Sequence, residues 1–593
     1  MPHQNVFQVS LSQRLFMVAF GLIAACKAEN PAFKDKKILE FAIESKVASL
    51  DPIHAATSYD HWGTAPVYDT LLQYNYLERP SRLEPNLVTK LPTISEDGLT
   101  YSFELKPGIL FHDDPCFAGG SGRELIAEDV IFSIKRMANL TLRPKGWWIY
   151  NDRIVGFDTY KDRQRNRPAG APFNYDESVE GLRVTGRYTF DLVLKRPYPQ
   201  LLSVLAMPYT SIVAREATEA YPEDFHRHAV GTGPFILDRW SAGTELVYSK
   251  NPKYRPELYP GATFAELGDE EAGLLRNAGA TLPLLDGIVI HIIDASQPRW
   301  LKFRVGDLHF TTVPTEFHDA VFTDDSQLRP NFQAQNISMY KVALLDFIYR
   351  GFNMNDPIYG GVQGKPIRQA ISMAIDHAEF NDAFYNNTAI VYDGPIPPGL
   401  SGHPNNPISP YRGPRLSLAK ALLKKAGYPD GKGLPPLYYE TAIGGNLREQ
   451  SEMLTRQLAE IGITLQTTFN HFPELSDKLH RNKAQFFGIA WNSDYPDAEN
   501  NLAMFYGPNA GGMNHFHYQN PTYDALYRRA STMIDSPTRT RLYEDMRDII
   551  IEDVPAIGAL ARTRIYLWNP TLKSMKPSET WYGWLKYLDV ERR

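Results

Sequence analysis

Apolar and polar positions along the chain change period repeatedly, and each change marks an element. KKILEFAIESKVASLDP (36–52) reads as a strand entering a turn, and HWGTAPVYDTLLQY (61–74) as a short helix. LTYSFELKPGILFH (99–112) alternates apolar and polar residues on either side of a Pro-Gly turn, the pattern of a hairpin. In ELIAEDVIFSIKRMANL (124–140) the stripe Ile126, Val130, Ile134, Met137 has helical spacing and predicts a core face. RYTFDLVLKRP (187–197), the segment after Gly-Thr-Gly-Pro (231–234), LLDGIVIHIIDA (284–295) and the end of RWLKFRVGDLHFTTV (299–313) read as strands.

The second half is richer in helices. KPIRQAISMAIDHAEFNDAFY (365–385) predicts one long helix with Pro366 in its first turn. LSLAKALLKKAG (416–427) and NLREQSEMLTRQLAEIG (446–462) each run into a glycine cap, and the second is followed by the ITLQTTF strand. FFGIAW (486–491) is a strand, and two helices close the region at 520–534 and 537–554. Strands alternating with helices favour mixed α/β lobes, and 593 residues exceed one domain several-fold.

The chain's start has a different pattern. Arg14 precedes an apolar run at 15–25 that is too short for an ordinary membrane span and has the form of an export signal. Ile23-Ala24-Ala25-Cys26 resembles a lipoprotein cleavage site, with Cys26 as the acylated residue; cleavage after Ala28 is the soluble alternative. Cys116 is the only other cysteine, so with Cys26 acylated or removed no intrachain disulfide can form. The net charge of −6, without a basic block, argues against nucleic acid as a partner.

Catalytic signatures are missing. The chain has no GxSxG elbow, no HExxH helix and no complete dinucleotide fingerprint. Gly360 to Lys365 imitates a phosphate loop, but Pro366 stands where a hydroxyl residue is needed, so it reads as a turn before a helix. His112-Asp113-Asp114 and His515/His517 lack further ligands at metal-binding spacing. Asp494 and Asp497, three residues apart around a proline, have no reason to flank a sugar bond. Neither turnover nor a cofactor or metal is expected.

Five stretches taken together resemble the family 5 extracellular solute-binding proteins, the peptide and dipeptide receptors of bacterial ABC importers. They are SLDP (49–52); EDGLTYSFELKPGILFHD (96–113) with IAEDVIFSIKR (126–136); GTGPFILDRW (231–240); RGFNMNDPIYGGVQGKPIRQAISMAIDH (350–377); and AWNSDYPDAENNLAMFY (490–506) with NPTYDALYRRA (520–530). Two places depart from the family pattern, the longer excursion at 112–125 and an insertion at 151–181, which bear on rim shape more than on fold.

The resemblance implies a bilobal periplasmic-binding-protein fold of the type II, large peptide-binding cluster, with an additional subdomain. The expected division is a signal and tether at 1–31, lobe I at 32–70, 200–325 and 560–593, the extra subdomain at 71–199, and lobe II at 326–559. It implies a monomeric receptor in the periplasm, lipid-anchored if Cys26 is acylated, that encloses a peptide and presents it to a membrane permease. By the same resemblance Asp494 would hold the peptide's amino terminus and Trp491 would cover its apolar surface. Asn492, Ser493 and Tyr495 would lie beside it, and Asn353 would either reach the ligand or cap the loop before Pro357. Two alternatives stay open: a receptor for an oligosaccharide, opine-like solute or metal chelate, and an exported peptide-processing or chaperone-like protein.

Overall fold

The computed structural model describes residues 33–323, 326–403, 409–578 and 580–592; the export segment and Cys26 lie outside them. Two sheets organise the chain. A seven-stranded sheet has the spatial order 338–343, 563–568, 310–312, 38–43, 287–292, 245–250, 235–241. Its centre is Ile38–Ile43, parallel to Gly287–Ile292 in the register Ile38 to Gly287 through Ile43 to Ile292. Leu39, Phe41, Ile288 and Ile290 are buried on one face and Ile38 and Val289 in a separate cluster, because a strand covered on both faces must be apolar on both.

The six-stranded sheet has the order 390–391, 556–561, 346–352, 486–492, 437–442, 465–470. Leu437–Ala442 and Leu465–Asn470 are parallel, and the helix Leu447–Ala459 runs between them in sequence, as a parallel pair requires. A third, four-stranded antiparallel sheet (93–94, 100–104, 189–193, 182–186) builds the extra subdomain with the helix Ala127–Arg136. The stripe Ile126 to Met137 does face inward: Val130, Ile134 and Met137 are buried there.

The insertion at 151–181 folds back on this subdomain. Its helix Phe157–Arg165 sends Gln164 to Glu177 (2.5 Å), and Tyr175 packs its ring on Phe132 at 4.8 Å. The excursion at 112–125 is held by Arg123, which forks between Asp129 and Glu216. Subdomain residues such as Phe103 and Phe190 belong to the same buried cluster as Phe41 and Ile288 of the seven-stranded sheet. The six-stranded sheet has separate cores.

Among the described residues, two short stretches link the two large sheets. Ser338–Ala343 ends in one sheet and Asp346–Phe352 begins in the other, across Leu344 and Leu345. Ala556–Ala561 and Thr563–Trp568 are likewise separated by Arg562 alone. Arg562 Nε donates to Asp346 Oδ2 (2.6 Å), and its carbonyl accepts from Leu344 N (2.8 Å), so the two crossings are tied to each other. This moves the division expected at 326 and 559: the strand 338–343 belongs to the seven-stranded sheet, and the chain crosses at 344–345 and returns at 562.

The helix expected over 365–385 is two helices, Gly361–Ala374 and His377–Tyr385. Ile375 is extended, and Asp376 caps the second helix by accepting from Ala378 N and Glu379 N. Pro366 sits inside the first helix instead of in its first turn. Residues 61–74 also divide, into the end of a helix (Ser58–Thr64) and the strand Leu72–Tyr74.

Candidate functional site

The strand Phe486–Asn492 runs through the middle of the six-stranded sheet and changes character along its length. Phe486 and Phe487 are fully buried, one stacked on Phe352 (4.7 Å) and the other on Phe516 (5.8 Å). Toward its end Ala490 and Asn492 become exposed, because there the sheet gives way to the space between the lobes. The turn after the strand, Trp491 to Pro496, enters that space.

Two chambers meet at this turn. One, of about 690 Å³, is lined from lobe II by Trp491, Asp494, Tyr495, Glu499 and Tyr506, and from the extra subdomain's side by Trp148, Arg153, Tyr198 and Gln200. The other, of about 460 Å³, lies against the crossings and is lined by Asn492, Pro496, Leu345, Tyr340 to Ala343, Arg79 and Gly399. The larger has the volume of a typical small-molecule site.

Asn500 sets the geometry of the turn. Its buried amide accepts from Trp491 Nε1 (2.9 Å) and from Asp494 N (3.2 Å), and its Nδ2 donates to Asp494 Oδ2 (3.1 Å). Asn500 therefore fixes the indole and the carboxylate relative to each other. More than a third of Asp494's surface is still accessible, since the chamber is open to solvent, yet protein crowds it on the remaining sides. That crowding pushes its carboxyl pKa up, opposed only by the Asn500 hydrogen bond. Among the described residues no cation pairs with it. Burial, with a smaller part from the charge of Asp494, raises the hydroxyl of Tyr198 across the chamber and that of Tyr209, the latter to about 12.

The remaining expected residues divide between the cleft and the framework. Tyr495 lines the larger chamber, but its hydroxyl donates to Glu499 Oε2 (2.7 Å) and also meets Tyr198. Its ring belongs to the buried cluster of lobe I and the subdomain, so it joins the lobes and offers a ligand no free polar group. Glu499, held by Tyr495 and Tyr527, is buried, and desolvation raises its carboxyl. Asn492 faces the smaller chamber.

Ser493 and Asn353 are corrections. Ser493 is buried with Oγ at 3.1 Å from Leu345 O and 2.6 Å from Asn501 Oδ1, and its N–H donates to Leu345 O (3.0 Å). It pins the strand end to the crossing and lines neither chamber. Asn353 follows Phe352, which pairs with Phe486 at the far end of the strand pair from Asn492. Six strand steps of roughly 3.3 Å put it about 20 Å from the turn. Its amide donates to Ala484 O (3.0 Å) and accepts from Asn355 N (3.0 Å), the loop-capping role.

Sequence reasoning missed Asn500, Glu499 and the opposite wall. Adjacent Trp147 and Trp148, both exposed, were the available signal for that wall. The phosphate-loop mimic is occupied otherwise: Lys365 pairs with Glu552 and Asp553. His112 is buried, which lowers its pKa, with Nε2 at 3.0 Å from Gly233 O. No group of three or more potential ligands able to hold a metal occurs among the described residues.

Two lobes on two tied crossings, with a crowded carboxylate in the space between them, define a solute receptor that can close around its ligand. Comparison with known proteins agrees: residues 82–513 match the model of bacterial extracellular solute-binding proteins, family 5, and the chain belongs to that family. It is 24% identical to the di/tripeptide-binding protein 2 of Pseudomonas aeruginosa (strain UCBPP-PA14), over 92% of either chain. It is 23% identical to the dipeptide-binding protein of Escherichia coli (strain K12), covering 95% of this chain and 94% of that one. The periplasmic binding protein DppA of Helicobacter pylori, solved in complex with the peptide STSA, superposes with a TM-score of 0.68 at 22% identity, over 94% of this chain and 99% of that one. No described helix is long and apolar enough to cross a membrane.

Proposed function

We propose that this receptor captures short peptides between its lobes and hands them to an ABC permease, with Asp494 pairing with the peptide's amino terminus. The observation that carries the reading is the state of Asp494: a crowded carboxylate, facing a chamber, with one amide donor and no cation. Such a charge is costly until a cation meets it, and an ammonium group supplies one together with directed hydrogen bonds. Trp491, held by Asn500, offers a flat apolar surface beside it. The relatives named for dipeptides and tripeptides support the choice of peptide over sugar.

Closure follows from the same geometry. A ligand held by Asp494 from lobe II and by the opposite wall makes all its contacts only when the lobes meet, so it favours the closed arrangement by its differential affinity. The two crossings at 344–345 and 562 are where backbone rotation would open the molecule. A permease would then recognise the closed form. The receptor itself needs no bond-breaking step.

The test is mass spectrometry of material released on denaturing gently purified protein. Short peptides with free amino termini, recovered near one per chain from wild type and lost from Asp494→Ala, are the expected result. Tight binding of a sugar or metal chelate with no peptide bound would overturn the proposal.

A further inference from the structure

The wall opposite Asp494 has its own unanswered polar groups. Arg153, at the start of the insertion, lies with its guanidinium 4.1 Å from the ring centroid of Tyr198 and lines the larger chamber. Among the described residues no carboxylate pairs with it. The other two chamber arginines differ: Arg196 pairs with Asp152 (3.1 Å), and Arg528 is exposed on the helix Pro521–Ala530. Beside Tyr198, Gln200 is 2% exposed, and neither atom of its side-chain amide has a hydrogen-bond partner among the described residues. A buried amide with two unmet groups and a stacked, unpaired guanidinium line one chamber, and a buried polar group without a partner is costly.

The charge of Arg153 reaches the buried Glu499 of lobe II. Its two oxygens already accept from the Tyr495 and Tyr527 hydroxyls. Among the described residues the Arg153 side chain makes no hydrogen bond, so it keeps donors for a planar acceptor, and its stacking on Tyr198 holds the fork in a fixed plane, the arrangement that suits a carboxylate.

We infer that Arg153, stacked on Tyr198 and flanked by Gln200, forms a carboxylate subsite of the larger chamber, so that the receptor selects peptides carrying an anionic group within reach of Asp494. The inference rests on the peptide reading above and adds a second anchor, on a segment longer than the family's usual pattern. The carboxylate can come from a peptide's carboxyl terminus or from an acidic side chain. Gln200 hydrogen-bonds the same group or the adjoining peptide unit.

Three probes separate the sources: tri-alanine, tri-alanine amide, and Ala-Glu-Ala amide, titrated by calorimetry into the full mature chain and its Arg153→Gln and Arg153→Lys variants. A charge-assisted hydrogen bond predicts that Arg153→Gln weakens at least one carboxylate-bearing probe by about 10- to 100-fold and tri-alanine amide by less than about two-fold. Loss for tri-alanine assigns the terminal carboxylate, and loss for Ala-Glu-Ala amide the side chain. Arg153→Lys retains part of the preference, and unchanged thermal midpoints show that the fold is intact.

Equal loss for all three probes would overturn the inference and make Arg153 a partner of Glu499 across the lobes. Unchanged binding of all three in both variants would also overturn it. If wild type binds the probes and loses them in Asp494→Ala but ignores Arg153→Gln, the subsite alone falls. If wild type binds none of them, the peptide reading falls with it.

Discussion

Asp494 and Asp497 stand on either side of Pro496, yet the two faces of this turn follow different rules. Asp497 looks into lobe II, where Arg539 donates to Oδ2 (2.7 Å), Tyr543 to Oδ1 (2.8 Å), and Glu499 N caps onto Oδ1 (2.9 Å). Asp494 looks into the chamber and receives one amide hydrogen. A framework carboxylate has donors on both oxygens, a cation among them, from its own chain; a recognition carboxylate leaves its strongest partner to arrive with the ligand. Asn500, three residues beyond Asp497, uses its buried amide to hold Asp494 and Trp491 open to the cleft.

Substitutions on the two faces should therefore separate stability from binding. The largest expected effect is from Asp497→Ala, which leaves the buried Arg539 guanidinium without its charge partner and should destabilise lobe II by about 3–5 kcal/mol in urea unfolding. A change below about 1 kcal/mol would erase the contrast between the faces. Asp494→Ala should act on binding instead, weakening a peptide with a free amino terminus by about 2–5 kcal/mol in calorimetry while an N-acetylated peptide binds as poorly to the variant as to wild type.

The pH dependence sharpens the same contrast. Crowding raises Asp494's pKa in the unliganded protein, and pairing with an ammonium requires the charged form. Affinity should thus be full above that raised pKa and fall as pH drops through it, beginning above the ordinary aspartate value of 3.8. The sign for stability is opposite: a raised folded-state pKa contributes stability that is present below the unfolded pKa and lost as pH rises through the folded one. Asp494→Asn should accordingly remove the pH dependence of binding without lowering the unliganded protein's melting temperature at pH 7. A lower melting temperature would mean that Asp494 is part of the framework after all.

The smallest effects belong to residues already committed to the chain. Ser493→Ala removes a buried hydroxyl between the strand end and the crossing, and should cost about 1–2 kcal/mol of stability by denaturant titration. Asn353→Ala, about 20 Å from the turn by strand geometry, should cost roughly 1 kcal/mol through its loop and leave peptide affinity within about two-fold. A ten-fold loss of affinity in Asn353→Ala would restore it to the site.

The two crossings show a similar division of labour. Arg562 and Asp346 bind the linkers side by side, while Tyr495 carries a lobe II side chain into the core shared by lobe I and the subdomain. The segment 151–181 contributes Arg153 to the wall that faces Asp494, and it is tied internally by Gln164 and Glu177 and to the subdomain by Tyr175 on Phe132. Its rigidity suits a wall that must present Arg153 and Tyr198 at a fixed place.

Much of this could be read directly from the residues. The alternation at 99–112, the stripe through Val130, Ile134 and Met137, and the glycine-ended helices of the second half each report a local period, and local period depends on neighbours within a turn or a pleat. The strand at 486–492 and the polar turn after it were visible for the same reason. What the chain does not announce is which polar atoms are already spoken for. Ser493 and Asp494 are adjacent and both polar, but the turn sends one toward Leu345 and Asn501 and leaves the other facing the chamber. The position of Asn353 depends on antiparallel register, and the meeting of Arg153 with Asp494's chamber depends on how a subdomain hundreds of residues away packs. The periods along the chain thus determined the elements, and the resemblance carried by its motifs implied the receptor architecture, whereas assignment of each buried donor and acceptor was settled only by tertiary packing, because hydrogen-bond satisfaction is a property of three-dimensional neighbours.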